Sequence, residues 1–381
     1  MTYKSVDQLQ KMLTKDVFHY AKDSKKAAGR ALGTLIEIIT FYLLKAWGYA
    51  PSVAIERGLA EYGNPKITHN VEYSLHPVIF SKRITLKGLK TPLSVAKLLK
   101  PLREELPFLK EYESRSQVLL SKDMVLRNSC VIAHNKNEIY TCLIHDIGKK
   151  SITIDIIGQY ISPYAMFECK RVGVEEGTKK GPQTIEKAKQ GAYVARSVSA
   201  LQKIRTFTGE LHAVIPKRDG SLYTKPYEQM IAEVIASSSP DLLRDFVLTV
   251  GVVSNHGNWF TSDNPNKELL VLAQSYDWLL FLTDKGLSEF INDVLISPVK
   301  ELQPARSAFL KSYKAHKKKN QFTKVQIHIT ADYALQAYFQ KNITRIEQWF
   351  NIISPPQFDI RTLKSQVSQL VQKDWKRILG K

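Results

Sequence analysis

Cysteine is scarce in this chain: three in 381 residues, Cys130, Cys142 and Cys169. They form no C-x-x-C pair and their number is odd, which argues against a disulfide framework and against a structural zinc site. Long hydrophobic runs are lacking too. The longest early one, Leu32–Leu44, is interrupted by Glu37 and falls short of the roughly 20 residues a bilayer requires. The opening Met1-Thr-Tyr-Lys-Ser-Val-Asp7 contains no apolar stretch of signal-peptide type. These absences lead to the expectation of a soluble, cytoplasmic protein with reduced thiols and no membrane partner. No fixed-period repeat or low-complexity segment occurs, and a hydrophobic fraction of 44% fits a folded chain. The histidines show no H-E-x-x-H or paired-ligand spacing, leaving His69, His76 and His145 without an assignment.

Negative charge is the largest deficit. Against 55 Lys+Arg stand 36 Asp+Glu, a net charge of +19. Such an excess favours a polyanionic partner, nucleic acid before an anionic membrane surface. It indicates a partner and says nothing about chemistry.

What is present reads as a mixture of helices and strands. A basic helical stretch over 6–26 is followed by a second helix to about Trp47, ended by Gly48-Tyr-Ala-Pro51. Residues 52–62 read as a further helical piece, and 67–80 alternate as a strand. Short helices are expected over 93–99 and 102–112, and a β-hairpin over 130–134 and 138–145. From 151 the order becomes strand, strand, helix (about 184–204), with later strands at 211–215, 246–254 and 278–282. That alternation indicates an α/β core.

Two apolar strands carry charges that a core excludes unless they are paired or bind something. Ser151–Gly158 holds Asp155, and Tyr164–Val172 holds Glu168-Cys169-Lys170, with Glu168 and Lys170 on one face. Adjacent strands would bring two carboxylates and an amine together, a set suited to a hard divalent cation and an activated water. The triplet alone is weak: Asp23-Ser-Lys25 and Asp374-Trp-Lys376 repeat it in charged, helix-like contexts. A structural ion pair of Asp155 and Glu168 with Lys170 or Arg171 is the competing reading. Glu37, the one charge in its apolar run, is either a ligand or an acid paired with Arg30 or Lys45. Glu56 and Glu72 are alternative third acids. Lys179, Lys180, Lys187, Gln190, Lys317 and Lys318 are candidate phosphate contacts, or simply solvated side chains.

In chain order, the Glu37 helix ending in Gly48-Tyr49, then Asp155, then Glu168-Cys169-Lys170, then Gln190-Gly-Ala-Tyr193 resemble the PD-(D/E)xK nuclease superfamily. Type II restriction endonucleases are its most similar members. Ile154 stands where the family often has proline, and the Gln-to-Tyr spacing is one residue shorter than in RecB-type members. The resemblance implies an α/β, restriction-endonuclease-like core, a mixed central sheet flanked by helices, with an inserted subdomain and a basic helical C-terminal region. It divides the chain into N-terminal helices joining the core (1–62), an inserted recognition subdomain (63–148), a catalytic core (149–297) and the basic region (298–381). Asp155, Glu168, Lys170 and Glu37 would be catalytic, and Asp155, Glu168, Glu37 and the Cys169 carbonyl would hold Mg²⁺. The implied activity is sequence-specific, Mg²⁺-dependent cleavage of double-stranded DNA to 5′-phosphate and 3′-hydroxyl ends. A homodimer is implied, and a cognate methyltransferase in the same system. A structure-specific repair or recombination nuclease, or a non-catalytic DNA-binding protein, are the alternatives.

Overall fold

The computed structural model describes residues 6–20, 22–172, 182–255, 267–314 and 320–381. Helix α1 (Ser24–Ala46) begins where the Asp23 side chain accepts the Lys26 N–H, and it is followed by Gly48 at φ +91°. By length and composition α1 could cross a membrane, yet 67% of its most apolar window is buried inside the protein. Its apolar residues serve the core.

The strands that matter follow in chain order: β1 (Val53–Ile55), β2 (Tyr73–Leu75), β3 (Val78–Lys87), β4 (Cys130–His134), β5 (Glu138–Ile147), β6 (Ser151–Tyr160) and β7 (Ala165–Val172). Helix α2 (Pro182–Ser197) comes next, then β8 (Leu248–Asn255), β9 (Trp278–Leu282) and β10 (Phe350–Ser354). Residues 52–62 therefore hold two short strands, Val53–Ile55 and Gly58–Glu61, and no helix. Val53 and Ile55 are β-branched and sit opposite Leu75 and Tyr73, a long-range pairing that outweighs local pattern.

The protein is mixed α/β. Six strands form the central sheet in the order β1-β2-β7-β8-β9-β10. β7, β8 and β9 run parallel, and β2 and β10 pair antiparallel on either side. β8 and β9 are buried along their whole length, as expected of parallel strands covered on both faces.

A second sheet, β3-β6-β5-β4, has its own core, in which Ile84, Leu98, Ile132 and Ile154 are buried. This overturns the expected pairing of the two charge-bearing strands. β6 lies between β3 and β5, and β7 between β2 and β8, so the strands of Asp155 and Glu168 belong to different sheets. The boundary expected at 148/149 falls within the second sheet, and Tyr73–Leu75, expected in the insertion, belongs to the central one.

Beyond residue 298 the described chain is mainly helical, as expected, with strands at Gln326–His328 and Phe350–Ser354. It closes over α1: Tyr42 and Lys45 reach Asp332 at 2.6 and 2.9 Å, and the Trp47 indole N–H donates to Glu347 at 2.9 Å. A close approach in this region fixes one residue type. A Cβ on Gly286 would lie 2.4 Å from the Trp349 Cβ. Gly286→Ala is expected to destabilise by about 1–3 kcal/mol through overpacking. Calorimetry should show a melting temperature several degrees lower, and an unchanged one would mean that the contact yields freely.

Candidate functional site

The antiparallel trio β1-β2-β7 ends in one row. Ile55 pairs with Tyr73, and Tyr73 with Phe167. The next residue along each strand is Glu56, Glu72 and Glu168. Three glutamates thus stand side by side at the open end of the trio. Backbone groups tie them together: the Glu56 N–H donates to the Glu72 carbonyl at 3.3 Å, and the Glu72 N–H donates to Glu168 Oε2 at 3.0 Å. Glu56 takes a left-handed conformation, φ +50°. For a non-glycine residue this costs about 1–3 kcal/mol and is concentrated at functional positions.

Lys170 lies two residues beyond Glu168, on the same face, with Nζ 2.5 Å from Glu168 Oε1. Helix α2 packs closely against it because residue 191 is glycine. A Cβ there would lie 3.5 Å from Lys170 Cε and 2.9 Å from the Tyr276 hydroxyl. That hydroxyl is buried and has no hydrogen-bond partner among the described residues. Cys169 faces the other way, its Sγ 3.4 Å from Thr40 Oγ1 of α1, and burial pushes its thiol up.

Helix α1 delivers Glu37, whose backbone carbonyl accepts the Tyr73 hydroxyl at 2.7 Å. Its carboxylate is 3.5 Å from Nζ of Lys324. The same ammonium is 3.1 Å from Glu56 and contacts Glu72 Oε2, with its side chain only 7% exposed. Glu37 thus has a partner, and it is neither Arg30 nor Lys45. Burial raises the Glu37 carboxyl and Lys324 draws it back down; burial likewise raises Glu168, opposed by Lys170.

Asp155 is not part of this cluster. On β6 it sits opposite Arg83, which donates to both its oxygens at 2.7 and 3.0 Å, and the His145 Nδ1 lies 3.9 Å away. The alternation that buries Ile154 and Ile156 turns Asp155 to the opposite face of the second sheet, where it lines a cavity with Lys45, His145 and Asp332. The ion-pair reading holds for Glu168 with Lys170, while Arg171 donates instead to the Gly29 carbonyl at 3.0 Å. Gln190 is an exposed residue of α2, and Tyr193 packs edge-on against His69 at 5.6 Å between ring centroids. Lys187 belongs to α2 by its backbone. Lys179, Lys180, Lys317 and Lys318 lie outside the described residues.

Of the expected site, then, Glu37, Glu168 and Lys170 come together and Asp155 does not. Glu56 and Glu72 join them, both weighed as alternative acids. Lys324 and Tyr276 are additions. Tyr276 carried no signal in the sequence, and Lys324 is one lysine among many in a basic region.

The donor set is carboxylate oxygen, which suits a hard cation such as Mg²⁺. That a cation is favoured at this point is seen in Lys324, whose ammonium three carboxylates surround. Among the described residues, no three acids, imidazoles or thiols are already spaced as metal ligands. Glu72 and Glu168 have the chemistry of a divalent site, but lysines neutralise them as they stand.

No family model, curated protein or solved structure matches this chain.

Proposed function

We propose that this protein is a Mg²⁺-dependent endonuclease of the PD-(D/E)xK kind acting on double-stranded DNA, and that Glu72 fills the place first expected of Asp155. The observation that carries this reading is the row of glutamates with Lys170 at the open end of three strands, flanked by α1 and α2. The order α1-β1-β2-β7-α2-β8 supports a restriction-endonuclease-like core. Glu168, with the carboxylate oxygens of Glu37 and Glu72 other than the Oε2 atoms that face Lys324, would hold the ion, and Glu56 lies at the rim. When bound there, Mg²⁺ supplies polarisation of the scissile phosphate and acidification of a water. Lys170, a compact charge next to Glu168, orients that water and offsets charge developing on the phosphate oxygens. Burial around Glu168 and Lys170 strengthens both effects by lowering the local dielectric.

The net charge of +19 supports a polyanionic substrate. A type II restriction enzyme, cytoplasmic, homodimeric and accompanied by a methyltransferase, is the form we favour. Incubation with phage or plasmid DNA and Mg²⁺ should yield discrete fragments bearing 5′-phosphates. Cleavage confined to branched DNA would favour a repair nuclease instead. Binding without any cleavage would remove the enzymatic reading.

A further inference from the structure

Lys324 occupies an unusual place for a lysine. It comes from the strand-bordering segment just before Gln326–His328, far in sequence from every acid it meets. Its ammonium is almost fully buried and is shared by Glu37, Glu56 and Glu72. The backbone anchors it as well: the Asn128 side chain donates to the Lys324 carbonyl at 2.9 Å, and the Asn128 N–H donates to the Val325 carbonyl at 2.9 Å. Antiparallel pairing of Gln326–His328 with Val125–Arg127, which directly precedes Asn128, therefore fixes the segment from which this lysine reaches in.

Charge counting gives the arrangement its meaning. Glu37, Glu56, Glu72 and Glu168 carry four negative charges when ionised, and Lys170 and Lys324 return two. The remaining −2 matches one divalent ion. Without Lys324 the cluster would carry −3, and like charges this close repel one another. An ammonium and a divalent ion cannot share one set of oxygens, so the position of Lys324 is closed to metal while it remains there.

We propose that Lys324 is a resident cation, which takes the place of one divalent ion among Glu37, Glu56 and Glu72. The chain then takes up one divalent ion fewer than its carboxylates could hold. Glu72 divides the cluster: its carboxylate faces Lys324, and its N–H supports Glu168 on the side that faces Lys170. The inference rests on reading the cluster as a divalent-cation site, and its test compares two proteins, whatever number the wild type binds.

The probe is Mn²⁺, counted per chain by electron paramagnetic resonance on the full-length protein. Lys324→Ala should bind one Mn²⁺ more than wild type, and adding Glu56→Gln should weaken that extra site at least tenfold. Without metal, K324A should melt below wild type and recover the difference on saturation with Mn²⁺. Should K324A fail to fold without metal, recovery of native circular dichroism with Mn²⁺ supports the proposal and failure to recover overturns it. An equal ion count in the two folded proteins overturns it as well. Failure of the nuclease reading looks different: wild type then cleaves no DNA at any Mg²⁺ concentration, whatever the difference between the two proteins.

Discussion

Glu72→Gln is expected to lower Mg²⁺-dependent DNA cleavage by about 10²–10³-fold, the scale on which one charge-stabilising group acts, while Asp155→Asn leaves it unchanged. The contrast follows from where the strands go. Glu72 follows the last paired row of the β1-β2-β7 trio and supports Glu168 through its N–H. Asp155 lies on another sheet, paired with a half-exposed Arg83. Losing that pair should cost little stability and no activity. Single-turnover cleavage by the two variants, with folding checked by circular dichroism, decides the matter. Loss of activity in Asp155→Asn with Glu72→Gln intact would return the site to the second sheet.

Lys170→Met should have an effect at least as large, again about 10²–10³-fold on the cleavage step, with DNA affinity retained in a mobility-shift assay. Methionine keeps the stem that packs against Gly191 and removes the charge. Arginine is not expected to restore activity, because its planar fork is larger and cannot replace a compact ammonium 2.5 Å from Glu168. The variant should also shift the pH response. Burial already raises the Glu168 carboxyl, and Lys170 is what opposes the rise. Without Lys170 that carboxyl rises further, so a proton displaces the metal at a higher pH than in wild type. Mn²⁺ binding measured from pH 5 to 8 should therefore be lost earlier on acidification in the variant. Unchanged binding across that range would mean that Lys170 does not act on Glu168.

How much of this was legible in the sequence depended on distance along the chain. Glu168-Cys169-Lys170 could be read correctly because strand alternation is local: two charges fell on one face and the cysteine on the other. Glu37 stood out because a lone acid in an apolar helix requires a partner, although the partner could not be named. Asp155 does not meet Glu168 because strands near in sequence need not pair in space, and these two belong to different sheets. β6 is long and β-branched, and it found β3 and β5 instead, with Asp155 opposite Arg83. The true neighbour of Glu168 is Glu72, 96 residues earlier, and nothing local marks that encounter. The same holds for Val53–Ile55, a strand whose partner is Tyr73–Leu75. Lys324 reaches its acids across most of the chain, and no periodicity encodes such a meeting.

The cover over α1 has a consequence for how the protein comes into being. Tyr42 and Asp332 are 290 residues apart, and Trp47 and Glu347 are 300. At roughly 5–20 residues per second, a ribosome needs about 15–60 s to supply the partners of α1 after making it. During that interval a helix apolar enough to pass for a membrane span has nothing of its own chain to cover it on that side. Nascent chains halted before residue 329 should thus be held by chaperones or aggregate, whereas chains released after residue 379 should not. The closing helices serve as late-arriving protection for a long helix made near the start of synthesis.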